Sequence, residues 1–114
     1  MDQGLPKTER LTRQKDIDAC YRQGRRFAGR ILRIHVRASE LPVARLAISV
    51  PGRVCGAVQR NRWKRLLREA FRLNKPEIGA GIDLVAVPNR PPGDLKRQDV
   101  EAALLELVRR ARGK

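Results

Sequence analysis

Residues 56–72 read GAVQRNRWKRLLREAFR, a stretch in which apolar and basic residues recur with helical spacing. On a helix with about 100° between successive residues, one arc of the surface is apolar. That arc holds Trp63, Leu66, Leu67, Ala70 and Phe71, while Asn61, Arg65, Arg68 and Arg72 form a row on the opposite side. The pattern predicts a helix from about Ala57 to Asn74 whose apolar side, including Trp63, packs on a core.

The polar side of this helix has a charge pattern that is uncommon for a surface helix. Ordinary surface helices alternate acids and bases four residues apart, whereas here Glu69 is the only acid among stacked cations. Stacked like charges cost stability, which a phosphate backbone would offset through counterion release. We therefore expect this side to contact nucleic acid; the alternative is a solvated amphipathic helix without a ligand.

Downstream of this helix the sequence predicts a buried strand and a last helix. Residues 82–87 read IDLVAV, a nearly continuous apolar run that is typical of a strand buried on both faces. Asp94 is a candidate N-cap for a helix that continues to about Arg110. With a strand on each side, the central helix is expected to form a strand–helix–strand crossover.

Upstream, alternation predicts two strands, at residues 31–38 and 44–50. In the first of them Arg33, His35 and Arg37 point away from the core side, so that face is expected to be basic and open. A first helix is expected from about Lys15 to Gln23, and residues 1–8 form a loose tail before a single domain at 9–114.

The overall charge points to a polyanionic partner. Lys and Arg total 26 against 12 Asp and Glu, which gives a formal net charge of +14. Such an excess repels itself in a compact chain unless a polyanion neutralises it. Nucleic acid is the leading candidate and an acidic membrane surface is second.

Several functional classes are disfavoured by what the chain lacks. Cys20 and Cys55 are too few for a disulfide framework or a metal site, and we expect both to be reduced. His35 is the only histidine, without a partner set for a protein-held catalytic metal. No signal peptide or membrane span is recognisable, so we expect a cytoplasmic protein that binds no membrane.

The helix sequence resembles the signature of the ribonuclease P protein family. The resemblance rests on GAV at 56–58, RNR at 60–62, KR at 64–65 and REAFR at 68–72. RL at 10–11, Gly24 and FAGR at 27–30 are similar to further landmarks of the family. The likeness runs from about Arg10 to the end of the chain.

The resemblance implies an α+β single domain, a four-stranded sheet with three helices in the order α-β-β-β-α-β-α, and a left-handed crossover around the RNR helix. It implies that this helix contacts the catalytic RNA of ribonuclease P. The basic residues assigned to that contact, with the neighbouring asparagine, are Arg53, Arg60, Asn61, Arg62, Lys64, Arg65, Arg68 and Arg72.

A second surface implied by the family is a cleft for the single-stranded 5′ leader of precursor tRNA, between the first helix and the open sheet face. Its residues here are Ile17, Tyr21, Phe27, Arg30, Arg33, His35 and Arg37. A cleft that mixes rings and cations suits sequence-tolerant binding of single strands. Ile17 and His35 stand where the family usually carries an aromatic residue.

The activity implied is that of a ribonucleoprotein endoribonuclease that removes the leader and leaves a 5′-phosphomonoester. No catalytic residue is expected in the protein, which binds no cofactor; Mg²⁺ is expected at the active site of the RNA. The implied partners are ribonuclease P RNA, at about 1:1, and precursor tRNA, with no stable protein partner. The alternative is a structural RNA-binding protein of the ribosomal type with no role in tRNA processing.

Overall fold

The computed structural model describes residues 5–113, which form four helices and a four-stranded mixed sheet. A short 3-10 helix at Lys7–Glu9 precedes the regular elements. These elements are α1 (Gln14–Gln23), β1 (Arg25–Ala28), β2 (Leu32–Ala38), β3 (Arg45–Ile48), α2 (Ala57–Leu73), α3 (Lys75–Ile78), β4 (Ile82–Pro88) and α4 (Arg97–Ala111).

The strands lie in the order β1-β2-β4-β3. β2 pairs antiparallel with both β1 and β4, whereas β3 pairs parallel with β4, Leu46 opposite Leu84. Parallel neighbours need a crossover, which α2 and α3 supply, so the predicted strand–helix–strand unit is confirmed. Its left hand stays a prediction.

The main core lies between one face of the sheet and the helices α2 and α4. Trp63, Leu67 and Phe71 of α2 are buried there, together with Leu104 of α4 and Ile34 of β2. The predicted apolar arc of α2 is therefore the side that packs, and burying these large side chains supplies the main driving force for folding.

A smaller cluster lies on the other face of the sheet, under α1. Cys20 of α1 packs there with Leu11, Val85 and Val87, so β4 is covered on both faces as its sequence predicted. Gly24 ends α1 where a side chain would meet the backbone carbonyls of Cys20 and Val36. That close approach sets the helix directly against the sheet.

Two features differ from the sequence-based expectation. The one-turn α3 adds a fourth helix, and the N-cap of α4 is Lys96, not Asp94, because a turn closed by the Leu95 N–H and the Pro92 carbonyl comes first. The carboxylate of Asp99 then accepts the Lys96 N–H at 2.9 Å.

The predicted tail falls partly outside the described residues, since residues 1–4 are not among them. Within the rest of that stretch Leu5 is buried, whereas Pro6, Lys7 and Thr8 are exposed. Leu5 is buried in the main core, and Arg10 and Leu11 run beside β3, where the Leu11 N–H donates to the Leu46 carbonyl at 2.9 Å.

Candidate RNA interface

The row of residues predicted on the polar side of α2, here called the α2 row, is on the surface. Its members Asn61, Arg65, Arg68 and Arg72 are all exposed. Arg72 bonds Glu69 at 2.7 Å, which lowers the pKa of that carboxyl, while Arg65 and Arg68 have no ion-pair partner among residues 5–113. Two adjacent turns of helix therefore present cations that are available to an anion.

Arg62, which is assigned above to the contact with the catalytic RNA, makes hydrogen bonds within the protein. Its Nη1 donates to the Gly93 carbonyl and its Nη2 to the Leu95 carbonyl, each at 2.6 Å. The neighbouring indole of Trp63 donates to the Arg90 carbonyl at 2.8 Å. Both side chains tie α2 to the loop between β4 and α4, so the Arg62 guanidinium has an internal structural role.

The remaining residues assigned to the catalytic RNA surround the start of α2. Arg53 is exposed in the turn that precedes the helix, a turn closed by the Val54 N–H and the Pro51 carbonyl at 3.0 Å. Arg60 lies in the first turn of α2 and Lys64 one turn later, both half-buried. These residues extend the positive surface of the α2 row at its N-terminal end.

On the other side of the molecule, α1 and β2 bring a tyrosine and a histidine together. The ring centroids of Tyr21 and His35 are 4.6 Å apart at an interplanar angle of 55°. Tyr21 is 39% exposed, whereas His35 is only 8% exposed. A partly exposed ring over a buried one leaves Tyr21 as the aromatic surface that an unstacked base can reach.

His35 is held in its neutral form. Its Nε2 accepts the Arg33 Nε–H at 3.2 Å, which requires an unprotonated Nε2 because a guanidinium only donates. Burial, and then the charges of Arg33 and Arg26, lower the pKa of His35 below its usual 6.5. The predicted open basic face is therefore corrected, because α1 covers its centre and His35 is enclosed.

Two other predicted cleft residues lie on the same face of the sheet. Ile17 packs against the cluster under α1, and Arg37 lies opposite Asp83 in the β2–β4 register. We call Ile17, Tyr21, Arg33, His35 and Arg37 together the α1 cleft. Sequence reasoning missed Arg26, which the β1–β2 register places opposite His35; the pairing of β1 was the signal needed to find it.

Phe27 and Arg30 lie apart from the α1 cleft. Phe27 is opposite Ile34 in the register and packs against the main core, on the face away from Tyr21, with the Arg25 guanidinium 4.9 Å from its ring centre. Arg30 is exposed in the turn that joins β1 and β2. The structure therefore corrects the assignment of Phe27 to the leader cleft.

An ion pair with a buried carboxylate joins β3 to β4 in the sheet. Asp83, 1% exposed, accepts two hydrogen bonds from Arg45, each 2.8 Å long.

Burial, with the nearby charge of Asp83, raises the pKa of the Cys20 thiol to about 11, so this thiol is not a nucleophile at neutral pH. Residues 5–113 contain no group of three or more potential ligands that could hold a metal ion.

Comparison with known proteins gives a consistent result. The family model described as Ribonuclease P matches residues 5–112. The "Ribonuclease P protein component" of Oleidesulfovibrio alaskensis is 41% identical over 106 residues, which cover 91% of this chain and 84% of the relative. That of Pelotomaculum thermopropionicum is 39% identical over 101 residues, covering 89% and 90%.

A solved structure shares the fold. The ribonuclease P protein from Thermotoga maritima superposes with a TM-score of 0.81 at 29% identity, covering 90% of this chain and 96% of that one.

Proposed function

The chain belongs to the ribonuclease P protein family, and from that premise we propose that it binds ribonuclease P RNA through the α2 row and the leader of precursor tRNA through the α1 cleft. As a ribonuclease P protein component it is a subunit of an endoribonuclease whose partner is RNA. What remains to be assigned is the role of each surface.

The assignment of the α2 row to ribonuclease P RNA rests on Arg65 and Arg68. Both are exposed, and neither has an ion-pair partner among residues 5–113. Each guanidinium offers a planar fork of donors that matches phosphate, and neither is occupied within the described part of the chain. Arg53, Arg60 and Lys64 add charge at the N-terminal end of the same helix. A structured RNA backbone laid along α2 would neutralise this charge and release counterions.

The second assignment rests on Tyr21 and the guanidinium groups around His35. Tyr21 offers a ring to an unpaired base, and Arg33, with its Nε bound to His35, keeps both Nη groups for the leader backbone. Stacking is independent of base identity, which suits leaders of differing sequence. Ile17 supplies apolar contact in place of a second ring.

In this proposal the protein positions precursor tRNA while the RNA subunit, with its bound Mg²⁺, hydrolyses the phosphodiester. The protein and RNA combine at about 1:1 and act in the cytoplasm. None of the helices in the described residues is long and apolar enough to span a membrane. This division of labour agrees with a protein surface built for binding.

The test is cleavage of precursor tRNA at low Mg²⁺ by a bacterial ribonuclease P RNA, with and without the protein. We expect the protein to restore correct 5′ cleavage and to be inert alone. Tyr21→Ala should weaken precursor binding more than mature tRNA binding, while Arg109→Gln, an exposed change on α4, serves as control. Equal losses for both tRNAs would favour the structural RNA-binding alternative, and cleavage by the protein alone would refute catalysis by RNA.

A further inference from the structure

A groove of about 260 Å³ opens between the chain before α1, the outer edge of β3 and the side of α2. Its floor is aliphatic and its far wall is cationic. The lining residues are Leu5, Arg10, Leu11, Thr12, Ile17, Leu46, Ala47, Ile48, Lys64 and Arg68. The groove is built into the fold, because the Leu11 N–H donates to the Leu46 carbonyl and holds the outer wall along β3.

The charge of the groove has one sign. Its lining includes no acidic residue, and Lys64 and Arg68 have no ion-pair partner in the described part of the chain. The two cations stand one helical turn apart on α2, so each raises the electrostatic potential at the other. An anion at the α2 side of the groove would relieve that repulsion.

The floor of the groove is apolar and suits an uncharged group. Ile17, Ala47 and Ile48 are half-buried and offer apolar surface beside the buried Leu11 and Leu46. At about 260 Å³ the groove is smaller than the roughly 300–1,000 Å³ of pockets that enclose a whole small-molecule ligand. It has room for one ring system with its charged substituent outside.

We infer that this groove binds one unpaired nucleotide of RNA, with the base on the aliphatic floor and the phosphate between Lys64 and Arg68. A nucleotide combines an apolar base face with an anion, which the groove matches on its two sides, and apolar side chains can hold an unstacked base. A base-paired nucleotide is excluded because its faces are covered by its neighbours.

This inference rests on the proposed function and extends it. Ile17 belongs to both the groove and the α1 cleft, while Arg68 belongs to both the groove and the α2 row. The nucleotide would therefore lie where the two RNA surfaces meet, and could come from the catalytic RNA or from the precursor.

Site-directed photocrosslinking in the assembled holoenzyme identifies the occupant. Thr12→Cys in a Cys55→Ala background places an aryl azide at the exposed rim, while buried Cys20 is not labelled. We expect crosslinks at one or two unpaired nucleotides, and end-labelling either RNA in turn shows which molecule supplies them. The matched control is Ala102→Cys on the exposed side of α4.

A second experiment fills the groove with a larger side chain. Ala47→Leu adds bulk without changing charge, so we expect the Kd for the RNA that crosslinks to rise at least threefold with an unchanged salt dependence. Ala102→Leu controls for added bulk elsewhere. Thermal unfolding shows whether Ala47→Leu is folded; if it is not, the crosslink decides.

The outcomes separate this inference from the proposed function. Crosslinks from position 12 that are no stronger than those from position 102, or that fall on paired nucleotides, would overturn the groove assignment. So would a folded Ala47→Leu protein with wild-type Kd. If the wild-type protein fails to stimulate cleavage at all, the proposed function is wrong instead.

Discussion

Arg62 and Arg65 lie three residues apart on one helix and carry the same charge, yet the structure gives them opposite roles. Arg62 donates two hydrogen bonds to the loop between β4 and α4, whereas Arg65 has no ion-pair partner in residues 5–113. Replacing each by Gln removes one charge from α2. The pair of variants therefore separates a structural arginine from one that is available to RNA.

The expected loss of stability follows from the two contacts of Arg62. A hydrogen bond with a charged partner contributes about 1.5–3 kcal/mol. The bond to Leu95 is partly buried and the bond to Gly93 is exposed. We therefore give the two bonds together the contribution of about one full hydrogen bond. Arg62→Gln should lower the free energy of unfolding by about 2 kcal/mol, or Tm by about 8 °C. Arg65→Gln should stay within about 0.5 kcal/mol of wild type.

RNA affinity should be reduced more by Arg65→Gln than by Arg62→Gln. Loss of a phosphate contact at Arg65 should reduce the slope of log Kd against log salt concentration by about 1. Arg62→Lys keeps the charge but loses the planar fork, so we expect wild-type salt dependence with the lowered Tm. Thermal unfolding and filter binding at several salt concentrations measure both quantities. An unchanged Tm for Arg62→Gln, or a Tm loss shared equally by Arg65→Gln, would refute this division.

Three further changes test the structure elsewhere. Asp83→Asn should cost about 2 kcal/mol of unfolding free energy in denaturant titrations, because it removes the charge that accepts two hydrogen bonds from Arg45 and leaves only Asp16, at 3.7 Å, as a carboxylate partner; no loss would mean that the pair is dispensable. Gly24→Ala should lower Tm by several degrees, since a side chain there meets backbone carbonyls; a wild-type Tm would contradict the close approach. Because the pKa of His35 is lowered on folding, the unfolded chain binds its proton more tightly, so stability should be full above pH 6.5 and fall below it. His35→Phe should remove that part of the decline, and an unaltered pH profile would show that His35 does not cause it.

The sequence was sufficient wherever one strong periodicity determined an element. The apolar arc of α2 predicted the helix and its buried side, and the apolar run of β4 predicted a strand buried on both faces. The alternation of β2 predicted the strand and its core face, but not the enclosure of His35 on the other face. In each case the driving force is burial of a repeated set of side chains, and that repetition is visible in a single chain. The resemblance to the ribonuclease P protein family then supplied the four-stranded sheet.

What the sequence did not predict depends on contacts between distant segments. β1 contains only Phe27 and Ala28 as apolar residues, so its existence and facing are set by pairing with β2. That register places Phe27 in the main core and Arg26 beside His35. The enclosure of His35 likewise depends on α1 lying across the sheet, which no local pattern specifies.

The same distinction explains why a positive charge alone could not locate the RNA interface. Several arginines stabilise the fold through hydrogen bonds within the protein. Arg45 binds Asp83, Arg62 binds two loop carbonyls, and Arg112 binds the carbonyls of Ile78 and Ala80 at 2.9 Å. Each of these guanidinium groups uses its several donors to join segments that are far apart in sequence. The arginines that we propose for RNA contact are those whose donors remain unoccupied among residues 5–113, above all Arg65 and Arg68. A count of charges therefore overstates the surface that is available to an anion, because that surface depends on which arginines already have hydrogen-bond partners within the protein.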